Sequence, residues 1–431
     1  MSNYCSYILS NTFSRILIFG APLIDVLFAS SISSSAASTV GSAYVFTGFT
    51  MAIFGPICTT AISLQIRVKY EKATERECFG LSLLTGIVFA VIYLVFLLIN
   101  MPSLMGFLNL DKDAASYFSS YFYIYLFFLS MLPIYRTYEE VSLASFGPHI
   151  VTVCAIVFLI VNLILNTMSV VLILDLQNRI DAIAFATVVS RGISLLILIS
   201  FVHKNMNIIG LSVKNGHAII SFWKSVSKKS FPAMAEPVST ACAVIVFVSL
   251  FNGYGSEIAS ARFYSSYALF MTGALAWASS TWHRNEFAKH YNSMALHDVI
   301  DFPKVAYSKT IIPLAGLIFL ISILVVVILI FAEIPPTQMK YLTVALLIGG
   351  FGEFGKLGNV LYGNLFIGMG DSRGVAVVNI TVTWLVVIPM VIYLIRNNSP
   401  YYFPLIGMAA DQFIRCTLLY FVWIRKSRQN Q

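Results

Sequence analysis

The chain contains about twelve runs of roughly 20 mostly apolar residues, separated by short polar connections. A run of this length allows an α-helix to cross the hydrocarbon core of a bilayer. Hydrophobic residues make up 58% of the chain and charged residues only 11%, and the mean hydropathy is +0.83. The short alternating segments typical of a membrane β-barrel do not occur in the sequence. We therefore predict an all-α integral membrane protein with twelve transmembrane helices.

Lys and Arg are distributed unequally between the two sides of the predicted bundle. They concentrate after the second, sixth and eighth runs and at the C-terminal end, whereas the other connections carry about one basic residue each. Because basic loops stay in the cytoplasm, we expect a multi-pass protein of the inner membrane with both termini cytoplasmic. The formal net charge of +8 follows from this distribution, so it does not indicate a nucleic-acid partner.

The N-terminal residues and the cysteines exclude two further features. The first apolar run has no basic start and continues into a full span, which favours a retained helix over a cleavable signal. The six cysteines are dispersed without C-x-x-C spacing, so neither a disulfide framework nor a zinc site is indicated. We expect no bound cofactor.

A long polar interruption divides the runs into two sets of six. We predict an N-terminal six-helix lobe over residues 1–205, a cytoplasmic linker over 206–227 and a C-terminal lobe over 228–431. Six spans per half give the halves parallel orientations. Weak internal similarity agrees: "SSSAASTVGSAY" after the first run resembles "GSEIASARFYSSY" after the seventh, and "SFGPH" resembles "GMGDSR". The sequence thus indicates two pseudo-symmetric lobes from a duplicated unit.

Four segments follow one another along the chain: an Asp followed by an apolar stretch and "SSSAASTVG", then "VNLILN", then "AIAFATVVSRG", then "GMGDSRG" after the tenth run. Their order and spacing resemble those of the multidrug and toxic compound extrusion (MATE) transporters. The resemblance covers nearly the whole chain and implies a twelve-helix, two-lobe transporter of the multidrug/oligosaccharidyl-lipid/polysaccharide exporter (MOP) superfamily. Flippases of lipid-linked oligosaccharides and lipid II belong to the same superfamily.

Four polar residues of the first lobe are predicted to share one depth in the membrane. At 1.5 Å per residue, Asp25 and Asn162 lie about 20 Å above the cytoplasmic ends of helices 1 and 5, and Asn166 follows one turn later on the same face. Thr187 lies about 9 Å below the outer end of helix 6, which is the same level. The resemblance implies that this set is the family's N-lobe cation site.

Asp25 is the only carboxylate in this cluster, because Asn166 stands where many family members carry Asp. Acidic side chains within spans are costly and are functional by default. We therefore interpret Asp25 as the residue that couples transport to protons or, as the less favoured choice, to a sodium ion. Pro22, one turn earlier, removes a helical hydrogen bond and permits a bend. The alternative for Asp25 is a structural acid that joins helices 1 and 5.

Three further acids fall within the cytoplasmic third of their helices. The sequence assigns Glu139, Glu236 and Glu353 to a possible gate or secondary cation site, with interfacial snorkelling as the alternative. Family members often place an acid on helices 7 and 10, and Glu236 and Glu353 lie about one turn away from those positions. Asp411 and Arg415 are spaced i, i+4 and are predicted to pair structurally within helix 12.

These features predict a secondary active exporter, not an enzyme. The expected cargo is a small amphipathic organic compound, exchanged for inward-moving protons by alternating access, and the protein is expected to be monomeric in the bilayer. One alternative is a lipid-linked oligosaccharide flippase. The other is a membrane-embedded transferase, which would need paired acids for magnesium and diphosphate. The densest acidic cluster, "LDKD" at 110–113, lies in an outer loop, and no phosphate-binding loop motif occurs.

Overall fold

The computed structural model describes residues 2–67, 72–147, 149–173, 175–206, 216–369 and 373–429. Within these ranges the protein consists of twelve long helices and one 3₁₀ turn, and each predicted apolar run corresponds to one long helix. The predicted all-α class is therefore confirmed. The helices are α1 (Ser2–Ser30), α2 (Ser34–Arg67), α3 (Lys72–Leu108), α4 (Lys112–Ser145), α5 (His149–Leu172), α6 (Leu176–Met206), α7 (Gly216–Asn252), α8 (Ser256–His290), α9 (Leu296–Phe331), α10 (Pro336–Gly368), α11 (Arg373–Arg396) and α12 (Tyr402–Gln429).

Eleven of the described helices are long and apolar enough to span a membrane. The remaining one, α8, is 35 residues long and carries Glu257, Arg262 and many serines. More than half of its residues are buried, so Arg262 and most of its serines face protein, whereas Glu257 is exposed. A helix shielded by its neighbours does not need the hydropathy of a lipid-facing helix. The chain is a multi-pass membrane protein.

In the connection between α3 and α4, two polar residues favour the end of one helix and the start of the next. Asn109 adopts a positive φ of 51° after α3, a conformation that Asn tolerates better than most residues. Asp111 then caps α4, because its carboxylate accepts a hydrogen bond from the Ala114 backbone N–H at 2.7 Å. The acidic cluster predicted in this outer loop is thus partly a helix cap. The described residues contain no group of acids, histidines or cysteines arranged to hold a metal.

Contacts divide the chain into two compact units, residues 28–249 (unit A) and residues 1–27 with 250–431 (unit B). In unit A the closely packed helix pairs are α2–α3, α2–α4, α3–α4, α4–α6 and α5–α6. In unit B the corresponding pairs are α8–α9, α8–α10, α9–α10, α10–α12 and α11–α12. Adding six to both helix numbers of a pair in unit A gives the corresponding pair in unit B. The two units therefore repeat one packing pattern, as expected of a duplicated unit.

The first helix of each predicted lobe belongs, by its contacts, to the unit that holds the remaining helices of the other predicted lobe. Residues 1–27 of α1 group with α8 to α12, and α7 up to Ser249 groups with α2 to α6. Within unit A, α7 contacts its neighbours through side chains: the Trp223 and Phe89 ring centroids are 5.2 Å apart, and Val226 packs with Ile57 and Leu81. Of the predicted linker, residues 207–215 lie outside the described ranges, and from Gly216 the chain belongs to α7. The lobe boundaries stay a prediction.

Glycines bring α10 and α12 close together in unit B. A Cβ built on Gly352 would lie 3.2 Å from Ala409 Cα, and one on Gly355 would lie 2.9 Å from the backbone nitrogen of Phe413. Lipid tails are as apolar as the side chains, so helices in membranes associate through such close packing. The i, i+3 spacing of these glycines therefore defines the α10 face that packs on α12.

Candidate coupling site

Three of the four residues predicted for the coupling site lie together between α5 and α6 of unit A. Asn162, Asn166 and Thr187 are each fully buried. The side-chain amide of Asn166 donates to Asn162 Oδ1 at 3.1 Å, and the amide of Asn162 donates to Thr187 Oγ1 at 3.5 Å. Thr187 Oγ1 donates to the Ile183 carbonyl at 3.2 Å. We call these three residues the amide cluster, which is polar and electrically neutral.

The fourth predicted residue, Asp25, belongs to unit B and is also fully buried. It lies on α1, which continues without a break through Pro22. On α8 of the same unit, the buried Tyr267 lies near Asp25. The site that combines Asp25 with the amide cluster stays a prediction, as does a bend of α1 at Pro22.

A series of side-chain contacts runs between α1 and α8. The ring centroids of Tyr7 and Trp282 are 5.2 Å apart, and Arg15 lies over the Trp277 ring at 5.7 Å. The Phe19 and Phe270 ring centroids are 6.2 Å apart. As residue numbers increase along α1, the numbers of the contacting residues on α8 decrease, so the two helices run antiparallel. Asp25 and Tyr267 continue this series, and we call it the α1–α8 ladder.

The three acids predicted for a gate have different surroundings. Glu139 is buried on α4 and its Oε2 lies 2.6 Å from Arg136 Nη1, and Arg136 also pairs with Glu140. Glu353 is buried on α10 and its Oε1 lies 2.8 Å from Lys356 Nζ. Each of these two acids is held by a basic residue three positions away on the same helix, Arg136 before Glu139 and Lys356 after Glu353. Glu236, on α7, is half-buried, and the gating role of all three stays a prediction.

Asp411 and Arg415 pair within α12, as the i, i+4 spacing predicts. Arg415 Nη2 lies 2.6 Å from Asp411 Oδ2, and Arg415 Nε donates to Oδ1 at 2.8 Å. The guanidinium also contacts Thr383, which lies in a π-helical stretch of α11, Val382–Val387. Pro389 has no backbone N–H to donate a hydrogen bond to the preceding turn, which is consistent with the π-helical turn just before it.

Two buried arginines were not identified from the sequence. Arg191 lies on α6 one turn after Thr187, with its guanidinium 4.0 Å from the ring centroid of Phe158 and 4.5 Å from that of Tyr135. Arg262 lies on α8, 4.8 Å from the ring centroid of Phe251. Both are 6% exposed. The available signal was a charged residue within a predicted span, which in a membrane helix indicates a functional position by default.

Neither a family model nor a curated protein matches the sequence. Solved structures match along its whole length. An inward-facing multidrug resistance MATE family transporter of the MOP superfamily has a TM-score of 0.78 at 13% identity, over 98% of both chains. An outward-facing conformation of such a transporter has a TM-score of 0.69 at 13% identity, over 98% of this chain and 95% of that one.

Two further structures widen the comparison. A Pyrococcus furiosus MOP superfamily transporter, whose reversed pocket polarity is described as suggesting a different function, has a TM-score of 0.70 at 12% identity. It covers 98% of this chain and 95% of its own. A MATE in complex with MaL6 has a TM-score of 0.67 at 13% identity, over 99% and 96% of the two chains. The architecture is thus that of a multi-helix membrane transporter. More specifically, the chain has the MATE fold, and the resemblance drawn from the sequence is confirmed at the level of the fold.

Proposed function

We propose that the protein is a secondary active exporter of small amphipathic organic compounds, coupled to inward proton flow through Asp25. The observation that carries this proposal is a fully buried carboxylate on the first helix of a MATE fold. Inward-facing and outward-facing structures exist among the neighbours, which supports alternating access as the transport mechanism. We place the protein in the inner membrane, with both termini in the cytoplasm.

Protonation of Asp25 is a suitable coupling event because its cost depends on hydration. Removal from water disfavours the charged carboxylate, and renewed hydration in the alternate state favours it again. A proton is then bound in one state and released in the other, and the cycle advances only when both steps occur. One charge that crosses about 100 mV supplies about 2.3 kcal/mol, enough for a substrate gradient of roughly fiftyfold.

The charges of unit A favour a proton over a sodium ion as the coupling ion. The amide cluster offers sodium no carboxylate, because the second position on α5 is Asn166. Arg191 adds a fixed positive charge one helical turn from Thr187. This charge would oppose a sodium ion at the amide cluster, whereas a proton on a carboxylate adds no net positive charge there.

The test is transport by the purified protein in proteoliposomes with an imposed proton gradient, sodium gradient or no gradient. In vesicles with an acidic interior, protein molecules whose cytoplasmic side faces outward should carry a cationic amphipathic dye inward in exchange for protons that leave. Dye uptake should stop when a protonophore is added. A sodium gradient at equal pH should drive no uptake. Gradient-independent movement of a fluorescent lipid-linked sugar, without dye transport, would contradict the proposal and indicate a flippase.

A further inference from the structure

Arg191 is a buried cation whose hydrogen bonding is incomplete. The residue is only 6% exposed, and its Nε has no hydrogen-bond partner among the described residues. No carboxylate of the described chain forms an ion pair with it. The guanidinium instead lies among three aromatic rings of α4 and α5, with ring centroids 4.0 to 5.5 Å away: those of Phe158, Tyr135 and Phe128.

The rings stabilise the charge without completing its hydrogen bonds. A ring face attracts a guanidinium electrostatically, but it is a poor acceptor for the five N–H groups of an arginine. The acid that shares this environment is Glu139, which acts on Tyr135 together with Arg191. Glu139 is engaged by Arg136, whose Nη1 lies 2.6 Å from its Oε2. The positive charge of Arg191 therefore lacks a direct counterion within unit A.

A second buried donor lies beside the guanidinium. The hydroxyl group of Tyr135 is buried and lies near Ser194 without a hydrogen bond of good geometry. Ser194 uses its own proton to donate to the Cys154 carbonyl at 3.1 Å. The Arg191 Nε–H therefore lacks an acceptor among the described residues, and the Tyr135 O–H beside it has only Ser194 Oγ within reach, in poor geometry. Buried polar groups are normally paired, so a missing acceptor is the simplest account of this arrangement.

We propose that unit A binds a small monovalent anion, a halide or a carboxylate, at Arg191 and Tyr135. The guanidinium supplies the charge and N–H donors, and the tyrosine hydroxyl supplies a second donor. The site lies one turn of α6 from Thr187, so a bound anion would offset the field of Arg191 at the amide cluster. The proposal does not depend on Asp25 or on the direction of transport.

The experiment measures chloride binding to the purified full-length protein in detergent by the line width of the ³⁵Cl resonance. Sodium is held constant and chloride is exchanged against gluconate, so only the anion changes. We expect saturable broadening with the wild type and its loss in Arg191→Gln. Tyr135→Phe, which removes one oxygen and keeps the ring, should weaken chloride binding about tenfold, as loss of one hydrogen bond to a charged partner implies.

Two matched controls separate the site from general effects. Tyr93→Phe removes a buried hydroxyl that also lacks a hydrogen-bond partner in unit A, and among the described residues no arginine lies over its ring. It should bind chloride like the wild type. Arg262→Gln removes a buried arginine of unit B whose Nε is also unpaired, so wild-type chloride binding by this variant assigns the signal to Arg191 and not to unpaired arginines in general. If Arg191→Gln does not fold, weaker chloride binding by Tyr135→Phe than by Tyr93→Phe supports the proposal.

Acetate provides the second arm of the experiment. If the site accepts carboxylates, sodium acetate will reverse the chloride broadening in the wild type and will have no effect in Tyr135→Phe at the same concentration. If acetate does not compete, a saturable chloride signal that depends on Tyr135 assigns the site to halides. Binding of neither anion by folded wild type, or equal chloride affinities of Tyr135→Phe and Tyr93→Phe, would overturn the proposal.

Discussion

At the residue scale, five buried or partly buried basic residues of this protein fall into two groups. Arg136, Lys356 and Arg415 each have a carboxylate within one turn of their own helix, at N–O distances of 2.6 to 2.8 Å. Arg191 and Arg262 rest on aromatic rings instead. Pairs within one helix keep their geometry when helices move, which suits a structural role. The second group depends on side chains from other helices, so it can respond to a conformational change.

Replacement of Asp25 by Asn should abolish coupling. An amide has nearly the same shape but cannot take up and release a proton, so we expect gradient-driven transport to fall at least tenfold. Substrate binding, measured by dye fluorescence on the purified protein, should stay within about threefold of wild type. Asp113→Asn makes the same chemical change at an exposed position of α4 and should transport normally. Proton-coupled transport by Asp25→Asn would place coupling elsewhere.

Replacement of Asp411 by Ala should destabilise the protein strongly. The Asp411 and Arg415 side chains are 7% and 8% exposed, so the change leaves a charge without its partner. Such losses cost about 3 to 5 kcal/mol in the free energy of unfolding. The double variant Asp411→Leu/Arg415→Met should recover most of this, measured by unfolding in mixed micelles.

An exposed pair is the control for the buried pair. Asp301 and Lys304 on α9 have the same kind of ion pair, but their side chains are 48% and 57% exposed. Asp301→Ala should leave the free energy of unfolding nearly unchanged, because an exposed pair is screened by water. Equal losses from Asp411→Ala and Asp301→Ala would show that burial of the α12 pair contributes nothing to stability.

At the element scale, the helices are held in two different ways. α10 approaches α12 through glycines, with the backbones of the two helices almost in contact. α1 instead meets α8 through long aromatic and basic side chains, and close backbone packing is not found for α1 or α7 in the described chain. Close backbone packing fixes a helix rigidly, whereas side chains can change rotamers at small cost. We therefore expect α1 to be the more mobile helix in unit B.

Gly355→Ala should weaken the contact between α10 and α12. The new Cβ would lie 2.9 Å from the backbone nitrogen of Phe413, and a backbone atom cannot move aside alone. Overpacking of this kind typically costs about 1 to 3 kcal/mol. Gly316→Ala on α9, where nothing lies within 4 Å of the new Cβ, should be neutral or stabilising. Thermal unfolding of both variants in one detergent measures the difference, and equal midpoints would refute the packing argument.

Removal of two rungs of the α1–α8 ladder should loosen α1. The double variant Phe270→Ala/Trp282→Ala deletes the α8 partners of Phe19 and Tyr7. Because few backbone contacts remain, we expect hydrogen exchange of residues 7–27 to accelerate about tenfold while α5 stays unchanged. Phe319→Ala truncates a ring on α9 that is 69% exposed and should leave α1 protection intact. Unchanged exchange in the double variant would mean that other contacts hold α1.

At the scale of the whole molecule, one packing pattern occurs twice. The five closely packed helix pairs in α2 to α6 each have a counterpart six helices later, with α4 central in unit A and α10 central in unit B. An even number of spans per repeat returns the chain to the same side of the membrane. The duplicated pattern therefore agrees with the parallel halves inferred from six spans per half.

The topology predicted from the basic residues is directly testable. A green fluorescent protein fused after Gln431 should fluoresce in intact cells, and an alkaline phosphatase fused there should be inactive, because the basic connections predict a cytoplasmic C-terminus. A cysteine introduced at Asn398, in the short connection between α11 and α12, should react with an impermeant maleimide added outside. The wild-type protein corrects for the native cysteines. An active phosphatase fusion would invert the topology.

The sequence by itself determined everything that depends on local periodicity and on transfer to lipid. It predicted the number of helices, the single face shared by Asn162 and Asn166, and the pairing of Asp411 with Arg415, since the helical repeat fixes which residues of one helix are neighbours. Only the tertiary structure decided which helices meet. It placed Thr187 against Asn162, aromatic rings from two helices around Arg191, and α1 along α8. In lipid one apolar face resembles another, so hydropathy does not select partners, and the choice depends on the shapes of side chains far apart in the chain.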